Sequence, residues 1–574
     1  MTVKLADVRR LTGANLIMDR AGAAGEASLP AGQEGLLVAL WRRHARSLLD
    51  AVGWDDEITQ VRPYHGGASL AVSAPLDGLY AATDLIDVAW DAAIAAANEQ
   101  PMPDFAAAAD GLRAAIAAER NPRLVVLAAA AREHGVTFLH GEDQVSLGLG
   151  TGVRVWPEDA LPAPETVDWE QIHEIPVGLV TGTNGKSTTV RLTAAIGAAA
   201  GRTVGLCSSD WVRVGDDVID EGDYSGPGGA RRAVRDPRVD LAVLEVARGG
   251  LLRRGLAIPR AQACLITNVA ADHLGEYGVI DLAALSEVKF LLARAVKPGG
   301  RLVLNADDPQ LVKQSQHFAG ETIWFSLSPG RSGIAAWLAA GGEAAILEDD
   351  RLVLARGDTR LPVLAVEDFP LGLRGVAQYN LANALGAIGL ASALGLPVEA
   401  MADGLAGFHG GPAENPGRGN FMELGGVTVL VDFAHNPHGL GALIDAVKQL
   451  PARRRLFLLG QAGDRRDEDI RDLVRIVWET RPDRVIVKEL SEALRGRAAG
   501  EVSALIIDTM RELGAPEAAI GHASSEVEAV RQALEWAELG DLLVLLLHTE
   551  RKAALALLQD LQSRGWRPGD PVAR

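Results

Sequence analysis

Short apolar runs separated by helix-period segments fill the last two thirds of the chain. Val177 to Val180, Leu241 to Leu244, Ala263 to Thr267 and Arg301 to Leu304 read as strands, with helical patterns between them. That alternation predicts a mostly parallel sheet with helices on both faces. The block runs from residue 174 to 410. From 411 to 574 the style repeats, with strands at Val427 to Val431, Arg455 to Leu459, Arg484 to Val487 and Leu542 to Leu547. His409-Gly410-Gly411-Pro412 marks the junction as a hinge. Residues 1 to 173 read differently. A strand-like stretch, Ile58 to Pro75, turns at Gly66-Gly67, and three alanine-rich helical patterns follow: Leu79 to Asn98, Phe105 to Glu119 and Arg123 to His134. Pro157, Pro162 and Pro164 then punctuate a linker. The expected architecture is α/β: an N-terminal α+β domain, a central parallel-sheet domain and a smaller, Rossmann-like α/β domain at the C-terminus.

Composition narrows the function classes. Asp plus Glu number 75 against 56 Lys plus Arg, a formal charge of −19. Such a chain has no overall field for a nucleic-acid backbone or an anionic membrane. The longest apolar runs fall far short of the roughly 20 residues that a membrane-spanning helix needs. Two cysteines, Cys207 and Cys264, lie in apolar stretches and build no disulfide framework. No secretory pattern opens the sequence, so a cytoplasmic location is expected.

The strongest chemical signal is Thr181-Gly182-Thr183-Asn184-Gly185-Lys186-Ser187-Thr188, which follows an expected strand and opens an expected helix. Glycines there let backbone N–H groups turn toward a phosphate, and the helix start adds partial positive charge. Lys186 supplies a cation, and the Ser187 hydroxyl suits a nucleotide-bound magnesium. The general P-loop pattern wants glycine where Val180 stands. Glu245, directly after an apolar strand, is placed to hold a metal. His273, in Asn268-Val269-Ala270-Ala271-Asp272-His273, suits a second metal or a phosphate. Lys289, on a helical stretch from Leu282 to Ala295, reads from its pattern alone as a solvated surface charge. Arg248 to Arg254 suits a carboxylate or phosphate as readily as a solvated helix start. Gly222 to Gly229 reads as a loop.

Taken in order, Thr181 to Thr188, Glu245, Asp272-His273, Lys289 and Asn305-Ala306-Asp307-Asp308-Pro309 resemble the Mur ligases. Gly417-Arg418 and Asp432-Phe433-Ala434-His435-Asn436-Pro437 are similar to their C-terminal domain. The resemblance is nearest to the Mur-ligase-like half of cyanophycin synthetases, on Glu245 to Leu256, Gly463 to Asp469, Val487-Lys488-Glu489 and Leu494 to Arg497. Ala129 to Trp156 resembles the stretch those enzymes carry just before their ATP-grasp module, and only residues 157 to 173 separate it from the Mur-like part, so no ATP-grasp module fits between them.

The resemblance implies an ATP-dependent, magnesium-requiring ligase that joins an amino acid or other amine to a carboxylate of a peptide-like acceptor. It implies catalytic roles for Lys186, His273 and Lys289. The metal ligands would be Ser187, Glu245, His273 and Lys289, the last after carbamylation. Nucleotide contacts would come from Thr181 to Thr188, Asn383, Arg418, Asp432 and His435. Tyr379 stands where many members have histidine. A muramyl-peptide or folate-type ligase and a nucleotide-binding regulator without ligation are the alternatives. A homo-oligomer and a separate ATP-grasp ligase partner are both compatible with the sequence. The N-terminal block is expected to recognise the acceptor or to serve in packing.

Overall fold

The computed structural model describes residues 3–572 apart from 31, 33, 142, 331 and 332. Its first sheet is antiparallel, in the order Lys4–Leu11, Gly22–Ser28, Gly67–Ser73, Thr59–Tyr64. Helices Glu34–Ala51 and Leu79–Ala97 cover one face and bury Trp41, Leu85 and Ile86 against Leu70 and Val72. Helices Phe105–Glu119 and Pro122–Glu133 follow, each started by a side-chain cap, Asp104 and Asn121. A three-stranded sheet, Phe138–Gly141, Gln144–Leu147 and Arg154–Pro157, leads to the second block.

An eleven-stranded sheet forms the centre of the molecule. Its parallel part runs Val204–Cys207, Leu241–Glu245, Val177–Thr181, Ala261–Ile266, Val296–Asn305, Glu321–Ser326, Glu343–Glu348. Antiparallel strands close both edges: Trp211–Val214 and Asp217–Glu221 on one side, Arg351–Arg356 and Thr359–Ala365 on the other. Two apolar layers sandwich the sheet. One holds Val190, Leu192 and Ile196 of the P-loop helix, Lys186–Ala199, with Leu381 to Leu390 of helix Gln378–Ala393. The other holds Leu251, Leu285, Val288 and Leu311. Burial on both faces is why Leu241–Glu245 is buried at every position and reads as one unbroken apolar run.

The last sheet has the order Asn420–Leu424, Val427–Asp432, Leu542–Leu546, Arg455–Leu459, Arg484–Lys488, Ile520–Ala523. Only the first pairing is antiparallel. Among the described residues no helix is long and apolar enough to cross a membrane.

Three expectations change. The stretch from Leu282 ends as an α-helix at Phe290 and tightens to a 3₁₀ turn over Leu291–Ala295. The expected loop at Gly222 to Gly229 is cut short by helix Pro227–Val234, whose proline sits in the first turn. Lys289 is not a surface charge. It is 2% exposed, because it lies on the packed side of its helix with Leu285 and Ser286, while Ala283 and Glu287 take the solvated side.

Candidate active site

The P-loop lies at the C-terminal edge of the central sheet, between Val177–Thr181 and the P-loop helix. Gly182 and Gly185 hold φ of +149° and +84°. A Cβ on Gly182 would stand 1.8 Å from Thr267 Oγ1, and one on Gly185 2.1 Å from Asn383 Oδ1. Both positions therefore require glycine on space as well as on conformation. The loop is pinned from below. Thr181 Oγ1 donates to Val246 O (2.6 Å), the Asn184 amide N–H to Asn268 Oδ1 (2.9 Å), and Thr267 Oγ1 to Asn184 O (2.6 Å). Thr183 Oγ1 donates to Ala270 O (3.1 Å) and accepts from the Ala270 N–H (3.0 Å). Lys186 Nζ donates back to Thr183 O at 2.9 Å. Ser187 Oγ donates to Glu245 Oε2 at 2.8 Å, and both residues are buried. Thr188, also buried, accepts a long hydrogen bond from Asn415 Nδ2 at 3.5 Å.

His273 stands apart from that oxygen pair. It occupies a left-handed backbone position, φ +52°, in the loop after Ala261–Ile266. Arg465 of the third block donates to Asp272 Oδ1 (2.6 Å) and reaches His273 Nε2 (3.0 Å). His435 Nε2 lies 3.5 Å from Asp272 Oδ2. Burial opposes ionisation of Asp272, but the His435 hydrogen bond and the charges of His435, Arg465 and His273 outweigh it. The carboxyl is held far below its ordinary range. His273 is lowered to about 4, first by burial, with Asp272 opposing and Arg465 and Arg248 reinforcing. The acidic groups that gather around His273 in metal-ligand fashion are Glu276 and Asp464, not Glu245. Lys289 lies within electrostatic reach of Lys186 and Asp272. No hydrogen bond or ion pair reaches its Nζ among the described residues. Burial and the charge of Lys186 push it well below the usual lysine value, against the pull of Asp272.

The third block closes over the P-loop. Asn184 and Asn436 exchange amide hydrogen bonds at 3.1 and 3.0 Å, and Asn184 Nδ2 also meets His438 Nδ1 at 3.0 Å. Arg418 donates to Ser209 Oγ at 2.8 Å, which in turn lies 3.1 Å from Ser187 Oγ. Asp432 accepts from the Gly419 and Ala434 N–H groups at 2.8 and 2.7 Å, yet burial still raises its carboxyl. Asn383 packs against Gly185, and the Tyr379 hydroxyl stands beside Gly419. The family model for the Mur ligase middle domain matches residues 180–391, and that for the Mur ligase glutamate ligase domain matches 417–546. Together they span more than half of the chain.

The chain belongs to the Mur ligase family.

Among its relatives, the cyanophycin synthetase of Crocosphaera subtropica is 36% identical over 400 residues, covering 70% of this chain and 45% of that protein. The cyanophycin synthetase of a Synechocystis species is 38% identical over 379 residues, 66% of this chain and 43% of its own. The chain thus spans under half the length of these two relatives. The UDP-N-acetylmuramoyl-L-alanyl-D-glutamate–2,6-diaminopimelate ligase of Geobacter metallireducens is 27% identical over 71% of this chain and 83% of its own. Among solved structures, E. coli FolC in complex with ADP covers 68% of this chain and 90% of its own at a TM-score of 0.48 and 21% identity. Within this Mur ligase chain, the sequence analysis missed Ser209, Asp210, Arg465 and Arg551 as site residues. Arg465 stood inside a motif quoted only for likeness. The others carry no local signal, since Asp210 and Arg551 are 341 residues apart.

Proposed function

We propose that this chain is an ATP-dependent carboxylate–amine ligase. The observation that carries the reading is the buried Ser187–Glu245 oxygen pair beneath a glycine-built phosphate cradle, with Arg418 of the third block reaching it through Ser209. An acceptor carboxylate oxygen attacks the γ-phosphorus of ATP and ADP leaves. The amine then attacks the acyl carbon, phosphate leaves, and the ammonium proton is lost to solvent. The protein's share is positioning and charge neutralisation. Lys186 and the P-loop N–H groups hold the phosphates, and closure by Asn184 and Asn436 excludes water.

Ser187 and Glu245 offer hard oxygen donors 2.8 Å apart, a set that fits Mg2+. When bound, the ion neutralises charge on the phosphate oxygens. His273 and Lys289 are the candidate ligands for a second ion. Only a neutral amine adds carbon dioxide, forming an N–C bond and releasing a proton. The burial and depressed pKa of Lys289 favour that form. Carbamylation would replace a neutral amine with an anion facing the phosphates. The acceptor is read as peptide-like, the amine as an amino acid, and residues 1 to 173 as the acceptor-binding part. The test is ADP release from ATP with pooled amino acids and candidate peptides. Amine-dependent release with a product mass equal to the two substrates less water is expected. ATP turnover unaffected by any amine would overturn the reading.

A further inference from the structure

One carboxylate ties the P-loop helix to the far end of the chain. Asp210, 4% exposed in its side chain, follows Val204–Cys207 in the turn Ser208-Ser209-Asp210. One of its oxygens accepts from Arg191 of the P-loop helix and the other from Arg551, the first residue of helix Arg551–Ser563. Arg191 also donates to Ser208 Oγ (3.2 Å) and to Asn415 Oδ1 (2.8 Å) in the segment that enters the third block. Asn415 Nδ2 donates to Arg418 O at 2.8 Å, and Arg418 donates to Ser209 Oγ. The contacts form a ring that begins and ends on one turn. That turn touches the oxygen pair, because Ser209 Oγ lies 3.1 Å from Ser187 Oγ and the Ser209 N–H reaches Glu245 Oε2 at 3.4 Å. Arg551 and Arg418 both stand against the Phe433 ring, 5.3 and 4.8 Å from its centroid.

The geometry points to Asp210 and Arg551 as positioning residues that report closure of the third block to Ser187 and Glu245. Arg551 can reach Asp210 only when helix Arg551–Ser563 is docked. Docking fixes Ser208 to Asp210, and Ser209 then orients the Ser187 hydroxyl and the Glu245 carboxylate. A carboxylate bonded on both oxygens by guanidinium groups has fixed geometry, which suits it to this coupling. The inference rests on the ligase reading above, and its test separates the two.

Arg551→Gln, Asp210→Asn and the double variant are compared with the parent for ADP affinity by calorimetry and for kcat and KM. Compaction on adding a non-hydrolysable ATP analogue with Mg2+ is followed by small-angle scattering. Arg551→Gln should lower kcat by about tenfold or more while ADP affinity changes by less than about threefold, and the compaction should shrink. The double variant should be no worse than the worse single, since both remove one interaction. Arg551→Lys should recover part of kcat by restoring the ion pair. Parent-like kcat and compaction in Arg551→Gln would overturn the inference while leaving the ligase reading intact, and so would multiplicative losses in the double variant. If Asp210→Asn fails to fold, Arg551→Gln and Arg551→Lys decide alone. A parent that binds no nucleotide would overturn both.

Discussion

Two lysines on helices that cover opposite faces of the central sheet meet opposite surroundings. Lys186 opens the P-loop helix, is half-buried and spends its ammonium on the Thr183 carbonyl at 2.9 Å. Lys289 sits near the end of helix Leu282–Phe290, is 2% exposed, and has no partner among the described residues. In the proposed reaction the first serves the phosphates. The second is placed to lose its proton, since a buried ammonium without a counter-ion is costly. One residue type thus supplies two chemistries, and what separates them is solvent access and partners.

The comparison breaks first at the level of turnover. Lys186→Met should lower ligation by roughly 10³-fold or more, because a charge aimed at the transferring phosphoryl group is lost. Lys289→Ala should lower it by about 10²-fold, the scale of one removed electrostatic contact. Added formate or acetate should restore part of the Lys289→Ala loss and none of the Lys186→Met loss, since only the former leaves a gap for an anion. Removing carbon dioxide from the parent should mimic Lys289→Ala. If Lys289→Ala ligates at the parent rate with saturating Mg2+, only one of the two lysines belongs to the reaction.

The same contrast explains what was legible beforehand. The P-loop could be read because two positive-φ glycines, a buried strand and a helix start each leave a local mark. Strands covered on both faces, such as Leu241–Glu245, were equally plain. Lys4–Leu11 and Gly22–Ser28 were not read. The first mixes exposure along its length, and the second is Gly-Ala-Ala-Gly-Glu-Ala-Ser, small residues with no β-branched side chain among them. The edge strands Trp211–Val214 and Asp217–Glu221 were missed because an antiparallel edge is only half covered. The burial of Lys289 had no periodic signal either. Its helix turns Glu287 rather than Lys289 to solvent, and family resemblance alone pointed to the residue. The Asp210 cluster is assembled wholly by tertiary contact.

Stability should separate the lysines next. The unfolded chain protonates Lys289 near the ordinary 10.5, whereas the folded chain does so well below it. Between those values the unfolded state binds more protons, so stability rises with pH through that window, and the penalty is complete below the folded pKa. Lys289→Met should therefore raise Tm at pH 7, with the gain shrinking as pH approaches 10.5. A Tm gain of Lys289→Met over the parent that is no larger at pH 7 than at pH 10 would mean that the amine is compensated in the folded protein.

The smallest effect concerns His273, a second base whose pKa burial lowers. Burial lowers its pKa to about 4 from 6.5, and the Arg465 and Arg248 guanidinium groups add to the shift while Asp272 resists it. Because the folded value is the lower one, this group contributes stability above 6.5 that is lost as pH falls toward 4. Its side chain is about a third exposed, so solvent screens the interaction and the stability change should be small. The proton itself is easier to see. The imidazole carbon-bound proton signal of His273, assigned by its loss in His273→Gln, should titrate with a midpoint near 4. In Arg465→Met the midpoint should rise, because a repelling cation that also occupies Nε2 at 3.0 Å is gone. A midpoint at 6 or above in the parent would show that His273 is not enclosed by the Arg465 contact.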